Sequence, residues 1–125
     1  MSHEWLSEAC SPCSGVRERC VTFAVEGTVL TGILAMPTEG SARRAVLLSH
    51  GWSGHRCGPA GVLVHLARRL AADGCASLRF DFRGRGESGG NGLETTLSTM
   101  SADLCAAEAE LRRLTGLEKT TLLGM

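Results

Sequence analysis

The sequence has no excess of either charge: Lys plus Arg is 13 and Asp plus Glu is 13. That balance offers nothing to a polyanion, so it argues against nucleic acid or an anionic membrane surface as a partner. No apolar run comes near the roughly 18–20 residues that a membrane span requires. The first residues, Met1 to Glu8, carry acids where an export signal needs bases, and they lack an apolar core. A soluble, cytoplasmic protein is therefore expected. Repeats, linkers and low-complexity tracts are also missing from the 125 residues, and one small domain, or part of one, is the simplest organisation. What remains is a globular composition, 43% apolar and 21% charged.

Six cysteines are present, and without an export signal they do not read as a disulfide framework. Cys75 opens an apolar run and Cys105 lies in a helical pattern, so both are expected to be small core residues. Cys57 follows a glycine loop and is expected to be an ordinary loop thiol, with a reactive one facing a cleft as the alternative. Cys10-x-x-Cys13, with Cys20 and His3 nearby, has the ligand types for zinc, but a single CxxC is a weak signal. A zinc site is therefore not expected, and a mobile N-terminal arm is the favoured reading.

Along the chain, residues 1–19 show little periodicity and read as an N-terminal arm. Residues 20–26 and 28–36 are two β-rich runs flanking Gly27, a hairpin pattern. An apolar strand at 45–49 follows. Next comes a helix over about 61–72, with Leu63, Leu66, Ala67, Leu70 and Ala71 at helical spacing. A second apolar strand covers 75–80. A second helix covers about 98–114, on the spacing of Leu97, Met100, Leu104, Ala107, Leu111 and Leu114, and Gly116 stops it. Thr120 to Leu123 is a third strand. A hairpin followed by β-α-β-α-β predicts an α/β fold, a mostly parallel sheet with helices on its faces.

Each of the three strands ends in a glycine-marked segment. The first is His50-Gly51-Trp52-Ser53-Gly54. The second is Asp81-Phe82-Arg83-Gly84-Arg85-Gly86-Glu87-Ser88. The third is Gly124-Met125. Glycines let a backbone approach a ligand, so that peptide N–H groups can face a developing negative charge. The string Gly84 to Gly89 also fits G-x-G-x-x-G. That fingerprint needs a helix opening within the turn, and polar residues intervene here, so a dinucleotide site is not expected.

In combination, HGxxG, a helix, a strand and D-x-R-G-x-G-x-S resemble the N-terminal half of an α/β-hydrolase, in the bacterial esterase-like and serine-aminopeptidase-like branch. The resemblance runs from about residue 20 to residue 125. It implies cleavage of an ester, thioester or amide by nucleophilic acyl transfer, on a small-molecule acyl substrate and without metal or organic cofactor. It further implies that the backbone N–H of Trp52 is an oxyanion donor, its indole a wall of the acyl pocket, and His50 and Gly51 shapers of the loop. Asp81 and Arg83 are expected as a structural ion pair beneath the cleft, supported by Gly84, Gly86 and Ser88. Gly124 and Met125 match the first two positions of the G-x-S-x-G nucleophile elbow. The nucleophile, Ser or Cys, would follow Met125. In this fold the acid and base come later still, whereas every histidine (His3, His50, His55, His65) and every carboxylate here comes earlier. These 125 residues are thus expected to be inactive alone.

A different triad from Ser53, Ser88 or Cys57 with His50 or His55 has no spacing to enforce it. In the family's sheet the strand at 120–123 is internal, whereas here it is expected at an edge, with one sheet face short of a covering helix. Marginal stability in isolation follows, or else docking against a complementary C-terminal fragment or self-association through that edge. Two alternatives to the hydrolase remain: a non-catalytic binding module on the same half-fold, and a metal- or redox-responsive protein using Cys10, Cys13 and Cys20.

Overall fold

The computed structural model describes residues 8–10 and 15–125. Its elements, in chain order, are β1 (Glu8–Cys10), β2 (Val16–Val25), β3 (Thr28–Pro37), β4 (Arg44–Ser49), α1 (Val62–Ala72), β5 (Cys75–Phe80), α2 (Leu97–Thr115) and β6 (Thr120–Gly124). The sheet has the order β1-β2-β3-β5-β4-β6. β4, β5 and β6 run parallel. β3 joins β5 antiparallel, and β2 and β1 continue antiparallel outward.

β2 alternates in the manner of a strand with one wet face: Val21, Phe23 and Val25 are buried while Thr22 and Ala24 are exposed. β4 and β5 are buried almost throughout, as their continuous apolar runs require of strands covered on both faces. The chain steps from β4 to β5 in one direction and then back past β4 to β6, which sends α1 and α2 to opposite faces. α1 packs Leu63 and Ala67 on Ala35, Val46 and Leu48. α2 packs Ala107 and Leu111 on Leu30, Leu34, Leu47, Leu78 and Phe80. Glu18 of β2 also accepts from Arg68 Nε of α1 at 2.6 Å.

Four expectations need correction. The hairpin strand starts at Val16, four residues early, and Glu8–Cys10 pairs with it, so the sheet reaches into the segment expected as an arm. Arg17, Glu18 and Arg19 hide the period there, because three successive charged residues erase the apolar alternation. The remaining N-terminal residues, including Cys13 and His3 of the CxxC reading, lie outside the described residues. Neither sheet face lacks a helix; the uncovered element is β6 itself, where Leu122 is 58% exposed and Leu123 is also exposed, as is Met125 just after it. Cys105 is exposed and Cys75 only half-buried. The inward stripe of α2 runs through Asp103, Ala107 and Leu111, and Cys105 lies two residues off it. Leu97, expected on that stripe, is 84% exposed at the helix start.

Between β3 and β5 the backbones approach closely at Gly32, which pairs with Phe80. A methyl group there would lie 2.8 Å from the Arg79 carbonyl oxygen and 3.0 Å from Phe80 Cβ. Backbone cannot swing aside as a side chain can. Gly32→Ala is therefore expected to destabilise the fold by about 1–3 kcal/mol, read as a lowered urea midpoint.

Candidate functional site

The C-terminal ends of β4, β5 and β6 lie side by side, and in open α/β sheets that edge is where ligands bind. After β4 the chain turns at His50, a residue only 2% exposed. Its Nδ1 lies 2.5 Å from the Gly51 carbonyl oxygen, and its Nε2 is 3.2 Å from the Phe82 backbone nitrogen. Phe82 N–H can only donate, so Nε2 is the acceptor and the proton sits on Nδ1, which gives a neutral imidazole. The ring also meets Phe82 edge-on at 4.8 Å. His50 thereby ties the loop after β4 to the loop after β5. Burial lowers its pKa, and the Gly51 hydrogen bond and the Asp81 charge offset this only in part.

Trp52 stands 59% exposed beyond that turn. Its indole Nε1–H donates to the Thr95 carbonyl at 2.7 Å, and Thr95 Oγ1 donates in turn to the Arg83 carbonyl at 2.8 Å. Gly51 faces the end of β6: Met125 N–H donates to the Ser49 carbonyl at 3.1 Å. A carbon added at Gly51 would sit 3.2 Å from the Met125 carbonyl oxygen. Gly124, at the last residue of β6, pairs with Ser49.

Asp81 and Arg83 do not pair with one another; each belongs to a separate ion pair. The buried Asp81 carboxylate accepts from Arg56 Nη1 at 2.6 Å, from Arg56 N–H at 2.7 Å and from Glu87 N–H at 3.0 Å. Burial opposes the charge on Arg56, and Asp81 and Glu87 together more than offset it. Arg83 reaches the opposite way, to Asp103 of α2. Nε and Nη2 lie 3.0 and 2.8 Å from Asp103 Oδ1, and the Arg83 N–H lies 3.0 Å from Oδ2. Those hydrogen bonds raise the pKa of Arg83 above its ordinary value. The separation arises because the chain leaves the extended form after Phe80. Arg85 N–H closes a turn on the Phe82 carbonyl, so residues 81 and 83 no longer share a side.

The remaining loop residues serve the Asp81 cluster. Ser88 Oγ donates to the Asp81 carbonyl at 2.5 Å and accepts from Thr31 N–H at 2.9 Å. Gly86 has φ 50°, and a Cβ there would overlap the Asp81 carboxyl group. Gly84 N–H closes the loop on the Gly89 carbonyl at 2.8 Å. With Ser88 and His50 both committed to backbone groups, the geometry does not assemble a Ser–His pair from them. Arg56 and Asp103 are the residues that sequence reading missed. Asp103 had a signal, a carboxylate on the apolar stripe of α2 four residues before Ala107; Arg56 had none.

Two outcomes follow from these contacts. Asp103→Ala leaves a buried guanidinium (Arg83 is 5% exposed) with only the exposed Glu26 at 3.5 Å, and is expected to cost about 3–5 kcal/mol in urea unfolding, with Asp103→Asn losing less. For His50, the unfolded chain takes up a proton near the ordinary value of 6.5, whereas the folded chain does so only at lower pH. The stability it confers is complete above that value and is lost as pH falls through the lowered folded pKa. Between about pH 7.5 and about pH 5.5 the urea midpoint of the wild type should fall further than that of His50→Gln.

The family model described as Hydrolase_4, serine aminopeptidase S33, matches residues 40–125. A cold-adapted esterase from an Arctic intertidal metagenomic library superposes with a TM-score of 0.78 at 26% identity, covering 99% of this chain and 55% of its own. Est1E from Butyrivibrio proteoclasticus, solved with ferulic acid bound, gives 0.72 at 24% identity over 83% of this chain and 41% of its own. A Pyrococcus furiosus esterase gives 0.71 at 22% identity over 86% and 40%. No curated protein matches. The chain spans about half the length of the solved structures it resembles. On its fold, its strand-end motifs and the family match, the chain belongs to the serine aminopeptidase S33 family of α/β-hydrolases.

Proposed function

We propose that residues 20–125 form the oxyanion-loop half of a hydrolase that cleaves an ester, thioester or amide by nucleophilic acyl transfer. In that reaction the attacked carbonyl becomes an oxyanion, and fixed N–H donors stabilise it. The Trp52 backbone N–H is the donor in this reading, with Gly51 keeping the approach open and His50 holding the turn. The observation that carries the reading is the contact between Met125 and the Ser49–Gly51 segment. A nucleophile one residue past Met125 would emerge beside Trp52, within reach of the same carbonyl. The acid and base would come from later sequence, as chain order in this fold requires. A cytoplasmic location and independence from metal belong to the same proposal.

Exposed Leu122 and Leu123 on β6, with exposed Met125 just after it, favour an additional covering element. A complementary C-terminal segment meets that need within this reading, and a second copy is the alternative.

The test begins with the coding DNA beyond the Met125 codon. Continuation into Ser or Cys followed by x-Gly, with a later carboxylate and histidine, is expected; a frame lacking them overturns the enzymatic reading. In the complete product, Trp52→Pro removes the N–H, and kcat on p-nitrophenyl esters is expected to fall about 100–1,000-fold with little change in KM. Trp52→Phe keeps the N–H and should retain most of kcat.

A further inference from the structure

Three arginines surround the strand ends, and two are neutralised by carboxylates. Arg56 has Asp81 and Glu87, and Arg83 has Asp103 and Glu26. Arg85 differs. Among the described residues no carboxylate lies within ion-pair distance of it, and its buried Nε has no hydrogen-bond partner. Its guanidinium carbon instead sits 4.6 Å above the Trp52 ring. Both halves of this stack are held in place. Trp52 is fixed by its bond to Thr95, and the Arg85 backbone by Arg85 N–H to the Phe82 carbonyl and Ser88 N–H to the Arg85 carbonyl.

A half-sunk cation without a counter-ion is costly, and an aromatic face recovers only part of the loss. A planar guanidinium with a free edge offers two parallel N–H donors, the geometry that a carboxylate accepts. The position matters equally, because the Arg85–Trp52 stack borders the turn that carries the Trp52 N–H. We infer that Arg85 is a specificity residue that receives a carboxylate on the substrate, so that the preferred substrate is an ester or amide bearing a free carboxylate near the bond to be cleaved. This rests on the oxyanion-loop reading for its link to catalysis, but not for the binding itself.

The test uses the full chain, ¹⁵N-labelled, titrated with monomethyl glutarate and, separately, with its neutral analogue dimethyl glutarate at matched ionic strength. The Arg85 Nε–H and the Trp52 indole N–H report the proposed contact, with Trp52→Phe assigning the latter. The Trp52 backbone amide reports the oxyanion loop independently. The half-ester is expected to move the Arg85 and indole signals saturably and the diester not. Arg85→Gln is expected to weaken half-ester binding about tenfold or more, and Arg85→Lys to recover part of it. Equal response to the diester, to sulfate, or in Arg85→Gln overturns the inference, as does the absence of any saturable shift. A shift at Arg85 and the indole without one at the Trp52 amide would uphold the carboxylate contact and count against the oxyanion loop, so the two readings fail separately.

Discussion

A carboxylate taken out of water must find its partners inside the protein, and Asp81 is the point from which the strand-end loops are organised. Its side chain is fully buried, so each oxygen has to be satisfied by protein groups. Arg56 comes to it from the segment before α1, with both backbone and side chain, and Glu87 comes from the far side of the glycine loop. The Asp81 backbone is anchored as well, through its N–H on the Thr31 carbonyl and its carbonyl on Ser88 Oγ. One residue thus joins β3, the loop after β4 and the loop after β5. The neighbouring Arg83–Asp103 pair extends the same framework to α2.

His50 and Asp81 work at different levels of that framework. The imidazole spans two backbone segments with two hydrogen bonds and requires neutrality to do so. The carboxylate requires charge, and the arginine beside it supplies the compensation. In the proposed oxyanion role the donors must be in position before charge develops, and a loop held at both ends by buried groups is consistent with that proposal. Under that proposal the conformational cost falls on folding rather than on the reaction.

The parts of the fold that could be read from the residues were those where burial imposes one period. β5 was legible as the apolar run Cys75 to Phe80, and α1 from the spacing of Leu63, Ala67 and Ala71. The start of β2 was obscured because its charged side chains find partners: Glu18 bonds Arg68 and lies 3.5 Å from the buried Arg79, so a polar run becomes part of a packed sheet. The glycine motifs announced the site, but the partner of each charge could not be read from spacing. Asp81 and Arg83, two apart in sequence, were separated by a turn, and their counter-ions lie 25 and 20 residues away along the chain.

The strand order also carries a consequence for how the chain is made. β3 pairs with β5 rather than with β4, which follows it in sequence. During synthesis the β2–β3 hairpin is complete at Pro37, yet the strand it docks on ends only at Phe80. Until then the Val21, Phe23 and Val25 face has no β5 beside it and no α2 above it. A nascent chain in this state presents an apolar ribbon to water for the time that residues 38–115 take to emerge, and it is then most open to chaperone capture or mispairing. Rapid translation through that interval, rather than greater stability of the finished sheet, is what would shorten the exposure.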